Sequence, residues 1–221
     1  VTTPATIVAT RRQLHAIAEN FIAGPQYRAT GTIRLAVRPD GFSATTLGIA
    51  VHGTTLSWPG GSTALAGPVS GVARASGLDV GPPVGVYDSA TALAPDAILD
   101  LDAGAADAIY RCLYAGGFAV NAVLPEGHPV LWPEHFDVAA SAGEVNYGVS
   151  AGDDFHELPY AYVGPWDFAR SPRTGPLWNA PFGAVHDLDL SADLDSLATD
   201  ITEFFRAGIN AVQSGVEPRH G

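Results

Sequence analysis

The strongest constraint on this chain is an apolar stripe near its end. Leu194, Leu197, Ile201, Phe204, Phe205, Gly208, Ile209 and Val212 recur at helical spacing, so a helix beginning near Ser191 carries one continuous apolar face. Asp193 and Asp195 fall in its first turn, where carboxylates suit the positive end of the helix dipole. Such a face has to be buried against another apolar layer. Two further segments carry comparable stripes. Residues 102–124 read as a long helix capped by Asp102, with Ile109, Leu113, Val120 and Leu124 facing inward. The pair Gly116-Gly117 costs that helix about 1 kcal/mol per residue against alanine, so close packing on another backbone is expected there. Residues 10–23 read as the first helix, with Leu14, Ile17, Ala18, Phe21 and Ile22 on one face and Gly24-Pro25 as its stop.

Between these helices the pattern is that of short strands. Residues 30–37 alternate, and Pro39-Asp40-Gly41 supplies turn chemistry for a returning strand over 42–47. Residues 48–58 read as one or two more strands around a His52-Gly53 turn, and 68–76 as a short helix begun by proline. The Gly-, Pro- and Asp-rich stretch 77–100 reads as a surface loop. Strands are expected again over 135–139, 145–149, 160–164 and 184–190. The expected fold is α+β: antiparallel sheet or sheets, with three main helices on one side. One domain over residues 1–221 is expected, with halves 1–124 and 125–221. Each half reads as strands followed by a long helix, and the helix ends share Asn121-Ala122-Val123 and Asn210-Ala211-Val212, as an ancient duplication would leave them. The tail from Ser214 is expected to fray.

Composition narrows the function classes. The apolar fraction is 47% and the charged fraction 15% in 221 residues, which excludes a disordered chain and needs no disulfide or metal staple. All 11 basic residues are arginine; without lysine there is no P-loop lysine, no lysine Schiff base and no pyridoxal-phosphate anchor. A net charge of −12 with scattered arginines argues against nucleic acid and anionic membrane surfaces as partners. Cys112 is the single cysteine, so no intrachain disulfide forms. Residues 1–10 lack a signal-peptide pattern, no apolar run approaches the ~20 residues of a membrane span, and the cytoplasm is the expected compartment. Absent Lys and Met with abundant Ala and Gly suggest a GC-rich bacterial genome.

Several stretches carry a resemblance. They are Leu14-His15, Gly31-Thr32-Ile33-Arg34-Leu35-Ala36, Leu131-Trp132-Pro133-Glu134-His135-Phe136-Asp137, Asn146-Tyr147-Gly148, Pro159-Tyr160-Ala161-Tyr162-Val163-Gly164-Pro165-Trp166 and Trp178-Asn179-Ala180-Pro181-Phe182-Gly183-Ala184. In these, covering most of its length in order, the chain resembles an uncharacterised family of bacterial, largely actinobacterial proteins. The resemblance implies relatives and carries no mechanism.

The densest polar grouping is His135, Asp137, Asp153, Asp154, His156 and Glu157. His135 and Asp137 stand two apart on an expected strand, so both side chains would share one face. Imidazole and carboxylate suit zinc, iron or manganese. His135, Asp137 and His156 are therefore candidate ligands of a divalent metal, or catalytic acid–base groups. The plainer reading has His135 and Asp137 bonded to each other and to loop amides, with the acidic loop solvated. His156-Glu157 is half of H-E-x-x-H, but the second histidine is missing and Pro159 breaks the helix that motif needs. The aromatic set Trp132, Phe136, Tyr147, Tyr160, Tyr162, Trp166, Trp178 and Phe182 is either core or, in part, the wall of a pocket. In the pocket reading Trp132, Trp166 and Trp178 contact a ligand beside Asp154. Gly148-Val149-Ser150-Ala151-Gly152 fits G-x-S-x-G, with Asp167 and His186 following in hydrolase order, but loop residues stand where the nucleophile elbow needs a helix. His15 and Cys112 read as core or boundary residues before site residues.

The leading expectation is a small-molecule-binding protein or a metal-assisted hydrolase with its site in the second half. One alternative is a non-catalytic module that homodimerises or binds a protein through exposed aromatic loops; another is a serine hydrolase acting through Ser150.

Overall fold

The computed structural model describes residues 2–88, 93–170 and 173–214; the tail beyond Ser214, expected to fray, lies outside them. Helix α1 (Pro4–Ile17) starts at Thr3, whose hydroxyl accepts from the Thr6 amide, with proline at its first position. The helix does not stop at Gly24-Pro25. It widens into a π-helical turn (Ala18–Ala23) and resumes as α2 (Gly24–Thr30), ending at Gly31 with φ 76°. Proline at the start of the resumed register gives up an N–H that the change of register would strand anyway. Gly24 answers a packing need: a Cβ there would lie 1.7 Å from the Gly81 carbonyl oxygen.

Five strands follow: β1 (Leu35–Arg38), β2 (Gly41–Ala44), β3 (Ala50–His52), β4 (Thr55–Trp58) and β5 (Gly61–Ala64). A small two-stranded sheet, β6 (Ala66–Pro68) with β7 (Ile98–Asp100), brackets the short helix α3 (Val69–Ser76). Helix α4 (Ala103–Val123) begins as expected at Asp102, whose carboxylate accepts from the Ala105 amide at 2.7 Å. The second series is β8 (Val130–Trp132), β9 (Asp137–Ala142), β10 (Val145–Ser150), β11 (Tyr160–Pro165) and β12 (Ala184–Asp187), closed by α5 (Leu194–Ser214).

The fold is α+β with a large antiparallel sheet. Ten strands run in the order β12-β11-β10-β9-β8-β1-β2-β3-β4-β5. Two meanders of consecutive strands meet where β1 pairs with β8, Leu35 opposite Leu131. Each meander precedes a long helix, as the sequence pattern predicts.

Register explains which face is buried. Leu35, Leu131, Val138, Val149 and Ala161 stand opposite one another across five strands, and all are buried. Helix α4 packs on this row. Its Gly116 is close not to a backbone, as expected, but to side chains: an added Cβ would lie 2.5 Å from Val149 Cγ2. On α5, Gly208 plays the same part against Val163, and Phe205 meets Tyr147 edge-on at 5.9 Å. The α5 stripe is thus buried against the sheet, and α1 packs beside α4.

Candidate functional site

Because strand side chains alternate, the residues next along the same strands point to the opposite face. That face carries a second row: Trp132, Asp137, Ser150, Tyr160 and Asp187 stand opposite one another across β8 to β12. A cavity of about 850 Å³ opens over the middle of this row. Asp137, Ser150, Tyr160 and Tyr162 form its floor; Asn146 and Gly164 extend it toward Trp166. The loop after β10 contributes Gly152, Asp153, Asp154 and Phe155, and Phe182 lies edge-to-face on Phe155 at 5.1 Å. Helix α1 reaches in with Arg11, Arg12 and His15, and the turn after β8 with Glu134 and His135.

Asp137 is the central group. Only 6% of it is exposed. The Tyr162 hydroxyl donates to its Oδ2, while its Oδ1 is buried with no protein partner. Burial pushes its carboxyl up from the ordinary 3.8 to about 6, against the Tyr162 hydrogen bond, which favours the ionised form. Tyr162 is positioned by a glycine: a Cβ on Gly148 would lie 2.7 Å from the Tyr162 ring, so only glycine lets the ring cross β10 toward Asp137. Burial and the adjoining carboxylate hold the Tyr162 phenol well above its ordinary range. The Tyr160 hydroxyl donates to Asp153 Oδ2 at 2.6 Å, and the Gly152 amide donates to Ser150 Oγ at 3.0 Å.

At the cavity edge, His15 stacks on Phe136 at 5.6 Å. Burial lowers its pKa to about 4, so the ring is neutral at pH 7 and its Nε2–H donates to the Pro133 carbonyl at 2.7 Å. Arg11 is buried, and burial and the neighbouring Arg12 lower its pKa against the opposing charges of Asp153, Asp154 and Glu157.

The expected site residues divide. Asp137, Asp154, Trp166 and His135 line one cavity. His156 does not join them: its Nδ1–H donates to the Leu158 carbonyl at 2.9 Å, and its Nε2 lies 3.2 Å from Asp187. Trp132 takes Arg34 over its ring, and Trp178 packs on Phe168 and Arg173. The three candidate metal ligands are not brought together. Among the described residues no three His, Cys, Asp or Glu side chains are grouped so as to hold a metal ion. The reason is local. Phe136 takes φ 51° and β9 starts only at Asp137, so the alternation that would pair His135 with Asp137 is broken, and His135 sits beside Glu134 at 3.4 Å.

The serine-hydrolase arrangement is not assembled either. His186 stands opposite Ala161, on the helix-covered face, where its Nε2 meets Asp200 at 2.8 Å; Ser150 faces the other way. Asp167 pairs with Arg173 at 3.1 Å. Cys112 is buried, which pushes its thiol up to about 12. The pocket residues that sequence reading passed over are Arg11 and Arg12, which lie more than a hundred positions from Asp137 in the chain, and Phe155. The aromatic cluster splits as a pocket wall would: Tyr160, Tyr162, Trp166 and Phe182 line the cavity, whereas Phe136 and Tyr147 are core.

Comparisons with protein families, with curated proteins and with solved structures give no match. Among the described residues no helix is long and apolar enough to cross a membrane.

Proposed function

We propose that this protein binds a small organic molecule in the cavity above β9, β10 and β11. The observation that carries this reading is the Asp137 carboxylate: buried in the cavity lining, with one oxygen bonded to Tyr162 and the other lacking a protein partner. A buried acceptor without a donor costs roughly 1–3 kcal/mol, more when charged, and such a cost persists where a ligand supplies the donor. The volume falls in the range of small-molecule sites, and apolar walls with a few placed polar groups are their usual make-up.

The test is a thermal-shift screen of a metabolite set on the wild type and on Gly164→Leu. Gly164 lines the cavity, and a Cβ added there meets nothing nearer than 3.8 Å, so leucine fills the space without breaking the fold. Compounds that raise Tm in the wild type and lose that effect in the variant support the reading. A set of hits indifferent to Gly164→Leu refutes it.

A second reading adds proton transfer. A carboxyl held at about 6 beside Ser150 Oγ is matched to general acid–base work near neutrality. On this reading Asp137→Asn loses turnover by a larger factor than it weakens binding.

A further inference from the structure

Resting on the binding site just proposed, we infer that its ligand is a protonated amine carried on an apolar or aromatic body. The ammonium would meet the Asp137 carboxylate, and the body would lie against the aromatic wall.

Three observations on charge and shape lead there. The empty valence at the cavity floor is an acceptor, and the Tyr162 hydroxyl already fills the other oxygen. An N⁺–H donor answers a buried carboxylate better than a neutral donor, since charge-assisted hydrogen bonds are about twice as strong. The charged lining is also acidic: Glu134, Asp137, Asp153 and Asp154 against Arg11 and Arg12. Arg11 feels the opposing charges of the acidic loop, although its Nε–H is buried without a partner, and the charges that act most on Asp137 are His135 and Glu134 rather than either arginine. Finally, the cavity walls are ring faces and edges. Tyr160 packs edge-on to Phe155, which in turn meets Phe182. Aromatic rings favour a cation by their quadrupole and an apolar body by burial. A net charge of −12 steers cations toward the molecule as a whole.

An anionic ligand fits less well. It would bring a second negative group to Asp137, whose carboxylate is already disfavoured by burial. The groups facing Asp137 are Glu134 and His135 from the preceding turn, Ser150 on β10, and Tyr160 and Tyr162 on β11. Across the cavity stand Arg11, Arg12 and His15 of α1. Of these, the His135 side chain is largely exposed.

Three probes of one shape separate the charge types: phenethylamine, phenethyl alcohol and hydrocinnamate. Each is titrated into the full chain, with backbone amide NMR shifts as the readout. At about pH 8, phenethylamine is expected to shift the amides around Asp137, Ser150 and Tyr162 and to bind about tenfold more tightly than the alcohol. That advantage should shrink at about pH 5, where Asp137 is protonated, and vanish in Asp137→Asn. Should Asp137→Asn fail to fold, the pH dependence in the wild type decides. Alcohol or hydrocinnamate binding as well as the amine would overturn the inference and leave the cavity reading standing. Shifts at the cavity from none of the three would overturn both.

Discussion

Two of the buried polar side chains, one in each half, are opposites. Gln26 on α2 is fully buried and every one of its polar valences is used. Its Nε2 donates to the carbonyls of Thr32 at 3.2 Å and Arg34 at 2.8 Å. Its Oε1 accepts from the Thr45 amide at 2.6 Å and the Thr46 amide at 3.0 Å. It stitches the start of α2 to the chain entering β1 and leaving β2. Asp137 is nearly as buried, carries a titratable charge, and leaves one oxygen without a partner above a cavity. Burial of a polar group is therefore no mark of function. A buried polar group whose partner is missing is one, because a purely structural role would have supplied the partner.

The contrast is broken first, and most severely, at Gln26. Gln26→Leu keeps the bulk but leaves the Thr45 and Thr46 amides and two carbonyls without their donor or acceptor. At roughly 1–3 kcal/mol for each buried group left unmade, partly recovered by water, the loss of stability is expected to be about 3–5 kcal/mol. Urea unfolding measures it. A loss under about 1 kcal/mol would mean that Gln26 is not the structural stitch its hydrogen bonds describe.

Asp137→Asn should go the other way. The folded-state pKa is raised to about 6 from 3.8, so the folded protein holds this proton after the unfolded chain has released it. Stability from this group is fully present below the unfolded value and is lost as pH rises through about 6. The wild type therefore carries a penalty at neutral pH that acidification relieves, of up to about 3 kcal/mol. Asparagine removes it. The variant is expected to be more stable than the wild type at about pH 8, with the difference fading toward pH 4. Chemical denaturation across that range checks the sign. A variant less stable at the higher pH would show that the Asp137 charge is compensated in the folded state, and its open oxygen would lose its significance.

The two residues also differ in how far the sequence announces them. The three long helices were legible because their signals are local: the apolar face of α1, the Asp102 cap and the α5 stripe. The β1–β2 and β3–β4 hairpins were legible from their turn residues. Strands β5 to β8 were not, since three or four residues hold too little alternation to register. Gly24-Pro25 misled because the chain changed helical register there instead of ending, and no local pattern encodes a π-helical turn. Asp137, Asp154 and Trp166 were legible as site residues from polar and aromatic density. The trio of His135, Asp137 and His156 was not assembled, because one left-handed residue, Phe136, sets His135 off the strand. Arg11 and Arg12 reach the cavity through the packing of α1, and Asp137 shows its missing partner only once β9, β10 and β11 are in register. Contacts of that kind exist only in three dimensions.

The smallest expected effect sharpens the contrast from Asp137's own side. Tyr162→Phe removes the side-chain donor of Asp137 while keeping the ring over Gly148. The hydrogen bond favours the carboxylate, so its loss moves the Asp137 pKa further up, and the proton is retained to higher pH in the folded state. Above the new value the ionised carboxylate lacks its side-chain donor, and the variant is expected to be less stable than the wild type by about 1 kcal/mol. Below about pH 4 the carboxyl is protonated in both proteins, and the gap narrows to what one neutral hydrogen bond contributes. Titration of the Asp137 side chain by carbon-detected NMR follows the shift directly. A carboxyl pKa unmoved by Tyr162→Phe would mean that another group donates to Asp137. The two buried side chains would then differ in charge alone, and the cavity floor would offer no open acceptor to a ligand.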